Sequence, residues 1–309
     1  MSYPIQNLIT HNEFGEYFAE ACVARSNLVK SGIAKIDPVI AELCKTAIGS
    51  FVELPFFKSI LATNTVEATV LTNNTTLTPE QIAAGQDRAP IFFRGKAFGT
   101  NDVDNMIAGK DPMKALGDGL ADYWNAERQT RLIKILAGIF GTSGVLTSHQ
   151  VTGTEFDPDL LLDAAATLGD RKTNIVAYAM NTTTETAFLK TFASSLYRPS
   201  DTPFTLSTFN GKAVVVDDAI SDGEIYLFGE GSVAINPCAC DNAFEAFRDP
   251  LSSSSGIVTR DASIVHVRGV KYKADTANPG NSVLATPATW ERVWESKFIN
   301  VAQVKITAS

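Results

Sequence analysis

Thr63-Asn64-Thr65-Val66-Glu67-Ala68-Thr69-Val70-Leu71-Thr72-Asn73-Asn74-Thr75-Thr76-Leu77-Thr78-Pro79 reads as the outgoing half of a thin hairpin. It returns through Ala89-Pro90-Ile91-Phe92-Phe93-Arg94-Gly95-Lys96-Ala97-Phe98. The β-branched residues favour extended backbone, yet few apolar side chains line either face. A two-stranded ribbon is marginal in water by itself, and this one has little core to lean on. The missing burial points to another copy of the same chain. The apolar and β-branched positions such a neighbour would cover in this loop are Thr65, Val70, Leu71, Leu77, Ile91, Phe92 and Phe93.

Directly after the hairpin, Asp111 is placed to cap a helix with Pro112 in its first turn, where the missing N–H costs nothing. Met113, Leu116, Leu120, Tyr123 and Trp124 recur at helical spacing, and Leu132, Ile133, Leu136, Ile139 and Phe140 resume it. Glu127, Arg128 and Arg131 interrupt that stripe, and Gly138 and Gly141 are expected to loosen its end. From Pro112 to Phe140 the helix would span ~43 Å, the length of a strut. Before the hairpin, Phe51-Val52-Glu53-Leu54-Pro55-Phe56-Phe57 reads as a strand ending at the proline.

Residues 1–50 look like an arm. Asn12 can cap a helix from Glu13 through Val29 with Phe14, Tyr17 and Phe18 on one side, and these three also need a partner surface. Asp37-Pro38 starts a shorter helix through Leu43 and Ala47.

The second half alternates helix and strand. Asp157 or Pro158 opens a helix that stops at Gly169, and Ile175–Met180 is a buried strand. Thr184–Phe192 is helical, and Ala213–Val216 and Ile225–Phe228 are central strands, which together make a mixed layer. Gly256-Ile257-Val258 and Ser263–Val267 read as an antiparallel pair. Trp290, Val293 and Trp294 read as a short helix, and Ile299–Ile306 as a closing strand.

A chain of 309 residues with 45% hydrophobic and 19% charged residues has the composition of an ordinary folded protein. Its net charge of −8 argues against a reader of nucleic acid, though not against a shell that encloses it. Cys22, Cys44, Cys238 and Cys240 are too few for a disulfide scaffold, which fits a reducing compartment. The start has neither a basic nor an apolar signal region, and no apolar run approaches the ~20 residues of a membrane span. Synthesis in a cytoplasm follows, with no membrane partner.

Val214-Val215-Val216-Asp217-Asp218 could hold Mg²⁺ at a strand end, but no phosphate-binding glycine loop accompanies it, and aspartates capping turns explain it. Gly229-Glu230-Gly231 reads as a turn between strands. His11, His149 and His266 lie far apart, and Cys238-Ala239-Cys240 lacks the spacing and second pair of a zinc site, leaving buried thiols. No catalytic residue, cofactor or metal is assigned, and the chain is expected not to be an enzyme.

The order of elements resembles the major capsid proteins of tailed bacteriophages, the Hong Kong 97 fold. Phe51-Val52-Glu53-Leu54-Pro55-Phe56 is similar to the strand entering that family's extended loop. Gly109-Lys110-Asp111-Pro112 with Ala121-Asp122-Tyr123-Trp124 resembles the start of its spine helix. Asp163–Asp170, Asn210-Gly211-Lys212, Tyr226-Leu227-Phe228-Gly229, Arg248-Asp249 and Trp290-Glu291-Arg292-Val293 resemble later segments, so the likeness covers roughly residues 50–306. It implies an α+β fold with an arm at 1–50 and a strand and extended loop at 51–110. A peripheral domain would take 111–150 and 244–275, and an axial domain 151–243 and 276–309. It further implies pentamers and hexamers closing into an icosahedral head shell around double-stranded DNA, with scaffold, portal and decoration proteins as partners. The location would be the virion capsid after synthesis in the host bacterial cytoplasm. Whether a prosegment or a separate scaffold is used stays open, as does cross-linking through Lys96. An encapsulin-type compartment is the rival reading within the fold, and a metal-dependent α/β hydrolase using Asp217 and Asp218 the rival outside it.

Overall fold

A computed structural model describes residues 31–46, 49–59, 68, 70–73, 76–77, 79, 81–101, 112–192, 196–197, 207–209, 211–238, 240, 242–251 and 253–307 of the chain. Asn12, Phe14, Tyr17 and Phe18 of the arm, Thr65 of the loop and the expected cap Asp111 lie outside these residues.

The strands in the first half are β1 (Ala34–Lys35), β2 (Phe51–Phe57), β3 (Ala84–Pro90), β4 (Phe92–Asn101), β5 (Gln150–Gly153) and β6 (Ile175–Met180). There follow β7 (Leu196–Tyr197), β8 (Ser207–Phe209), β9 (Lys212–Val216), β10 (Glu224–Gly229) and β11 (Val233–Pro237). The last are β12 (Phe244–Asp249), β13 (Ser254–Val267), β14 (Val270–Tyr272), β15 (Trp290–Arg292) and β16 (Val301–Ile306). The helices are α1 (Pro38–Thr46), α2 (Pro112–Phe140), α3 (Pro158–Ala166), α4 (Thr182–Phe192) and α5 (Asn281–Leu284).

Two sheets enclose α2. The first is organised by β13, a single 14-residue strand. It pairs with β4 along one edge from Ser254↔Asn101 to Ser263↔Phe92. Its other edge pairs first with β12 and then with β11, onto which β1 adds in parallel. The second sheet has the order β5-β16-β10-β6-β9-β8-β7. Alternation along its strands builds two cores. Tyr226 and Phe228 face the cluster that holds Leu132, Leu136 and Ile139 of α2, whereas Ile225 and Leu227 face Leu161, Ala164 and Phe188 of α3 and α4.

The half of α2 from Leu132 onward therefore touches protein on nearly every side, and Leu132, Ile133, Ile135, Leu136, Ile139 and Phe140 are all buried. The polar residues that interrupt the apolar spacing are paired. Arg128 donates to both carboxylate oxygens of Asp261 on β13, and Ser263 donates to Asp261 at 2.7 Å. Arg131, fully buried, donates to Ser263 at 3.0 Å and to Glu127, and its guanidinium lies 4.5 Å from the centre of the Phe92 ring.

The structure departs from five expectations. The hairpin pairs β2 with β3, from Phe51↔Pro90 to Phe57↔Ala84, and β4 belongs to the β13 sheet. The described residues between 60 and 83 form no strand, for the threonine-rich stretch lacks the apolar side chains a ladder would bury. Strand β2 continues through Pro55 to Phe57. The two short strands expected at 256–258 and 263–267 are one strand, because Arg260-Asp261 is not a turn: Asp261 is buried opposite Arg128. Trp290 opens a strand rather than a helix, pairing with Tyr272. Finally, Gly138 does not loosen α2. Its missing side chain leaves room for the Trp290 indole, whose Nε1–H donates to Leu284 O at 2.8 Å.

Segment 233–237, expected among the axial residues, stands in the sheet of β13, and α5 rests on α2. Among the described residues no helix is long and apolar enough to cross a membrane.

Asp261→Ala leaves Arg128 charged and buried, and urea unfolding is expected to show a loss of about 3–5 kcal/mol. Combining Arg128→Met with Asp261→Leu should restore most of it, since the charge and its partner disappear together. A Cβ on Gly138 would sit 2.2 Å from Leu284 O and 2.6 Å from Trp290 Nε1. Gly138→Ala should therefore cost about 1–3 kcal/mol in the same measurement.

Candidate assembly surface

The loop leaves the body between Phe57 and Ala84, and its root is fixed by aromatic and charged contacts. Phe51 stacks on Tyr272 with ring centres 6.0 Å apart, and the Arg88 guanidinium lies 3.8 Å above Phe51. Arg88 also pairs with Asp275 at 3.0 Å. Across the ladder Phe56 faces Gly85, whose Cα hydrogen leaves space that a Cβ would fill at 2.6 Å from the ring, and Phe56 meets Trp294 edge-on at 6.1 Å.

Beneath this root lies a buried acid. Asp87 on β3 accepts from His266 Nε2–H at 2.9 Å and from Gly269 N–H at 3.1 Å. Burial pushes its carboxyl up, but His266 and the N–H groups of Gly269 and Arg88 together hold it below the ordinary 3.8. Helix α1 closes the other side. Asp37 accepts from Val39 N–H at 2.9 Å at the start of α1 and from Arg268, and Asn236 on β11 donates to Asp37 O at 2.8 Å.

Among the described residues beyond this root, Val70 is 81% exposed, Leu71 68% and Leu77 62%. Phe93 is also exposed. Ile91 and Phe92 are not available to a neighbour: both are buried inside their own chain, Ile91 beside Val52 and Ala89, Phe92 beneath Arg131. The apolar run around them fills the body, which is why they were grouped with the loop from sequence. Other exposed apolar side chains escaped the sequence reading. Phe57 and Ile82 flank the loop root, Ile36 precedes α1 and Val39 lies in its first turn, Phe247 lies on β12 and Leu251 in the β12–β13 turn. Leu251, 96% exposed between Pro250 and a serine run, was the legible one, since a large apolar residue at a turn tip has no local partner.

The carboxylates and turns singled out in the sequence have local structural partners. Asp217 accepts from Ala219 N–H at 2.9 Å, and Asp218 accepts from Thr182 at the start of α4, which holds the Asp218 carboxyl below its ordinary value. Among the described residues no group of three or more His, Cys, Asp or Glu side chains is placed to hold a metal ion. Gly231 occupies the left-handed region at φ +61°, turning β10 into β11, while Glu230 pairs with Lys35 at 2.6 Å. His149 is buried, bonded to Val301 O through Nδ1 at 2.9 Å and to Ser296 through Nε2 at 2.6 Å.

No family model matches the chain. Along its length it is similar to the major capsid protein of Bacillus phage SPP1, 29% identical with 97% of each chain covered. Its fold is similar to the capsid of Ralstonia phage GP4, with a TM-score of 0.59 at 9% identity over 90% of this chain and 88% of that one. The Cyanophage Pam1 capsid gives 0.55 at 12% identity over 93% of both. The architecture is the α+β Hong Kong 97 type.

Asp87 has a depressed carboxyl in the folded state, so its contribution is present above pH 3.8 and lost as pH falls below that value. Asp87→Asn should be less stable than the parent by about 1.5–3 kcal/mol near neutrality. Urea unfolding at a series of pH values should show that gap closing below pH 3.8; a gap constant across the series would show that the charge of Asp87 contributes nothing.

Proposed function

We infer that this chain is a bacteriophage major capsid protein, a structural subunit whose work is to assemble with copies of itself into the head shell. The observation that carries this is likeness from end to end: nearly the whole chain aligns with nearly the whole of a phage major capsid protein. The fold and the uncovered loop agree with it.

The mechanism follows from where polarity and apolarity sit. A stiff frame of α2 between two sheets gives each subunit a fixed shape. The loop then lays Val70, Leu71 and Leu77 on a neighbouring subunit, and the arm lays Phe14, Tyr17 and Phe18 on another. Each contact is small, but a subunit held at several sites rebinds as an intramolecular event, so modest contacts sum to a durable shell. Weak single contacts also allow a misplaced subunit to leave. Pentamers and hexamers would form around the residues assigned to the axial domain. Scaffold, portal and decoration proteins would be the partners, and double-stranded DNA the contents. A net charge of −8 keeps enclosed DNA from adhering generally to the protein.

The loop can be removed without disturbing its root, because Lys58 N–H donates to Ala83 O at 2.8 Å and the two ends already touch. Replacing residues 60–81 by a short Gly-Ser bridge should leave a folded subunit with an unchanged circular dichroism spectrum. Negative-stain microscopy and sedimentation should show no closed shells. Normal particles from this variant would refute the interlocking role. The milder pair Leu71→Asp and Leu77→Asp should reduce shell yield without lowering the subunit's unfolding midpoint.

A further inference from the structure

Two thiols far apart in sequence meet beneath the loop root. Cys44 lies on α1 and Cys238 just past the end of β11, 194 positions away, with their sulfurs 2.8 Å apart. Cys44 is 7% exposed, within a cluster of Ile40, Val52, Ala89, Ala234 and Ile264, and Cys238 packs on the rim of that cluster. Three segments converge there: the helix that continues the arm, the base of the loop, and the sheet organised by β13. Neither sulfur is in a disulfide. A disulfide sulfur pair sits ~2.0 Å apart, so the two would move by less than about 1 Å to bond.

We propose that Cys44 and Cys238 are an oxidisable pair, thiols while the chain is made in a reducing cytoplasm and a disulfide once it meets a small-molecule disulfide in an oxidising exterior. The bond would staple α1 to the sheet under the loop root.

The exchange balances in two steps. The more exposed Cys238 gives up its proton and attacks a sulfur of the small disulfide, whose S–S bond breaks. One half stays bonded to Cys238 and the other leaves as a thiolate, which takes up a proton. The Cys44 thiolate then attacks the Cys238 sulfur, forming the protein disulfide and expelling the second half, which takes the Cys44 proton. Two cysteine thiols are oxidised and one small disulfide is reduced to two small thiols. The hydrogen bond from the Cys238 thiol holds Cys44 below the ordinary thiol value, with burial opposing, and that same bond followed by burial pushes Cys238 up. Capping Cys238 consumes that bond, so what directs the second step is the 2.8 Å approach of the two sulfurs.

The consequence is a lock that acts after folding. Closing so long a loop restricts the unfolded chain far more than the folded one. Disulfides survive outside the cell and not in the cytosol, so the lock would set when a released shell meets such a small disulfide.

The test uses the purified full-length subunit, reduced and then dialysed against oxidised glutathione. Titratable thiols should fall from four to two, and proteolysis with mass spectrometry should join the peptide of Cys44 to that of Cys238. The urea midpoint should rise on oxidation and return with dithiothreitol. Cys44→Ser and Cys238→Ser should each abolish the rise, and Cys240→Ser should retain it. Four thiols remaining after treatment, or a bond mapped to Cys22 or Cys240, would overturn the proposal. The mapping is done on the parent chain, so a serine variant that fails to fold does not blunt it, and the outcome does not depend on whether shells form.

Discussion

The ion pair between Arg128 on α2 and Asp261 on β13 fixes the register on which the rest of the molecule is built. Both side chains are buried, and each is further tied in: Asp261 by Ser263, and Ser263 by the neighbouring Arg131. A hydrophobic contact would let a helix slide along a strand at little cost, because one apolar side chain replaces another. A buried arginine cannot slide, since any displaced position leaves it without its carboxylate. One residue of β13 is thereby assigned to one turn of α2. Strand β13 passes that register on, to β4 along one edge and to β12 and β11 along the other.

The loop root inherits its position from the same strand. His266, near the end of β13, holds Asp87 of β3, and Arg268, just beyond, holds Asp37 ahead of α1. Two elements distant in sequence are thus hung from adjacent residues. The base of the loop is thus aimed by the body. In the proposed function this separates two requirements that otherwise conflict: a surface for neighbours must be uncovered before assembly, yet must point in a defined direction.

Much of this was legible in the residues. The 29-residue helix begins and ends at the expected positions, because Pro112 marks one end and the apolar spacing runs to Phe140. Strands β6, β9 and β10 and helix α1 also lie where apolar runs and a proline after aspartate put them. What misled was polarity in buried places. Arg128, Arg131 and Asp261 each look like a surface or a turn, and only their pairing across more than a hundred positions makes them core. Ile91 and Phe92 misled in the opposite sense, as an apolar run beside a loop belonged to the body. The aromatic Phe57 is exposed for reasons no local pattern encodes.

The distribution of strong and weak contacts explains how such a chain can be both stable and able to assemble. Folded stability is a small difference between large terms, so a subunit that left its core incomplete until assembly would be prone to misfold first. Here the two clusters around α2 and the second sheet are filled by the chain itself, and α1 with the loop root closes a third. Several of the exposed apolar side chains, among them Phe57, Val70, Leu71, Leu77 and Ile82, lie at or beyond the loop root, where covering them changes no core packing. Assembly can then be reversible while the subunit's own fold is not at stake. Any later strengthening is best placed where arm, loop and body converge, because a bond there limits the motion of both projections without touching either surface.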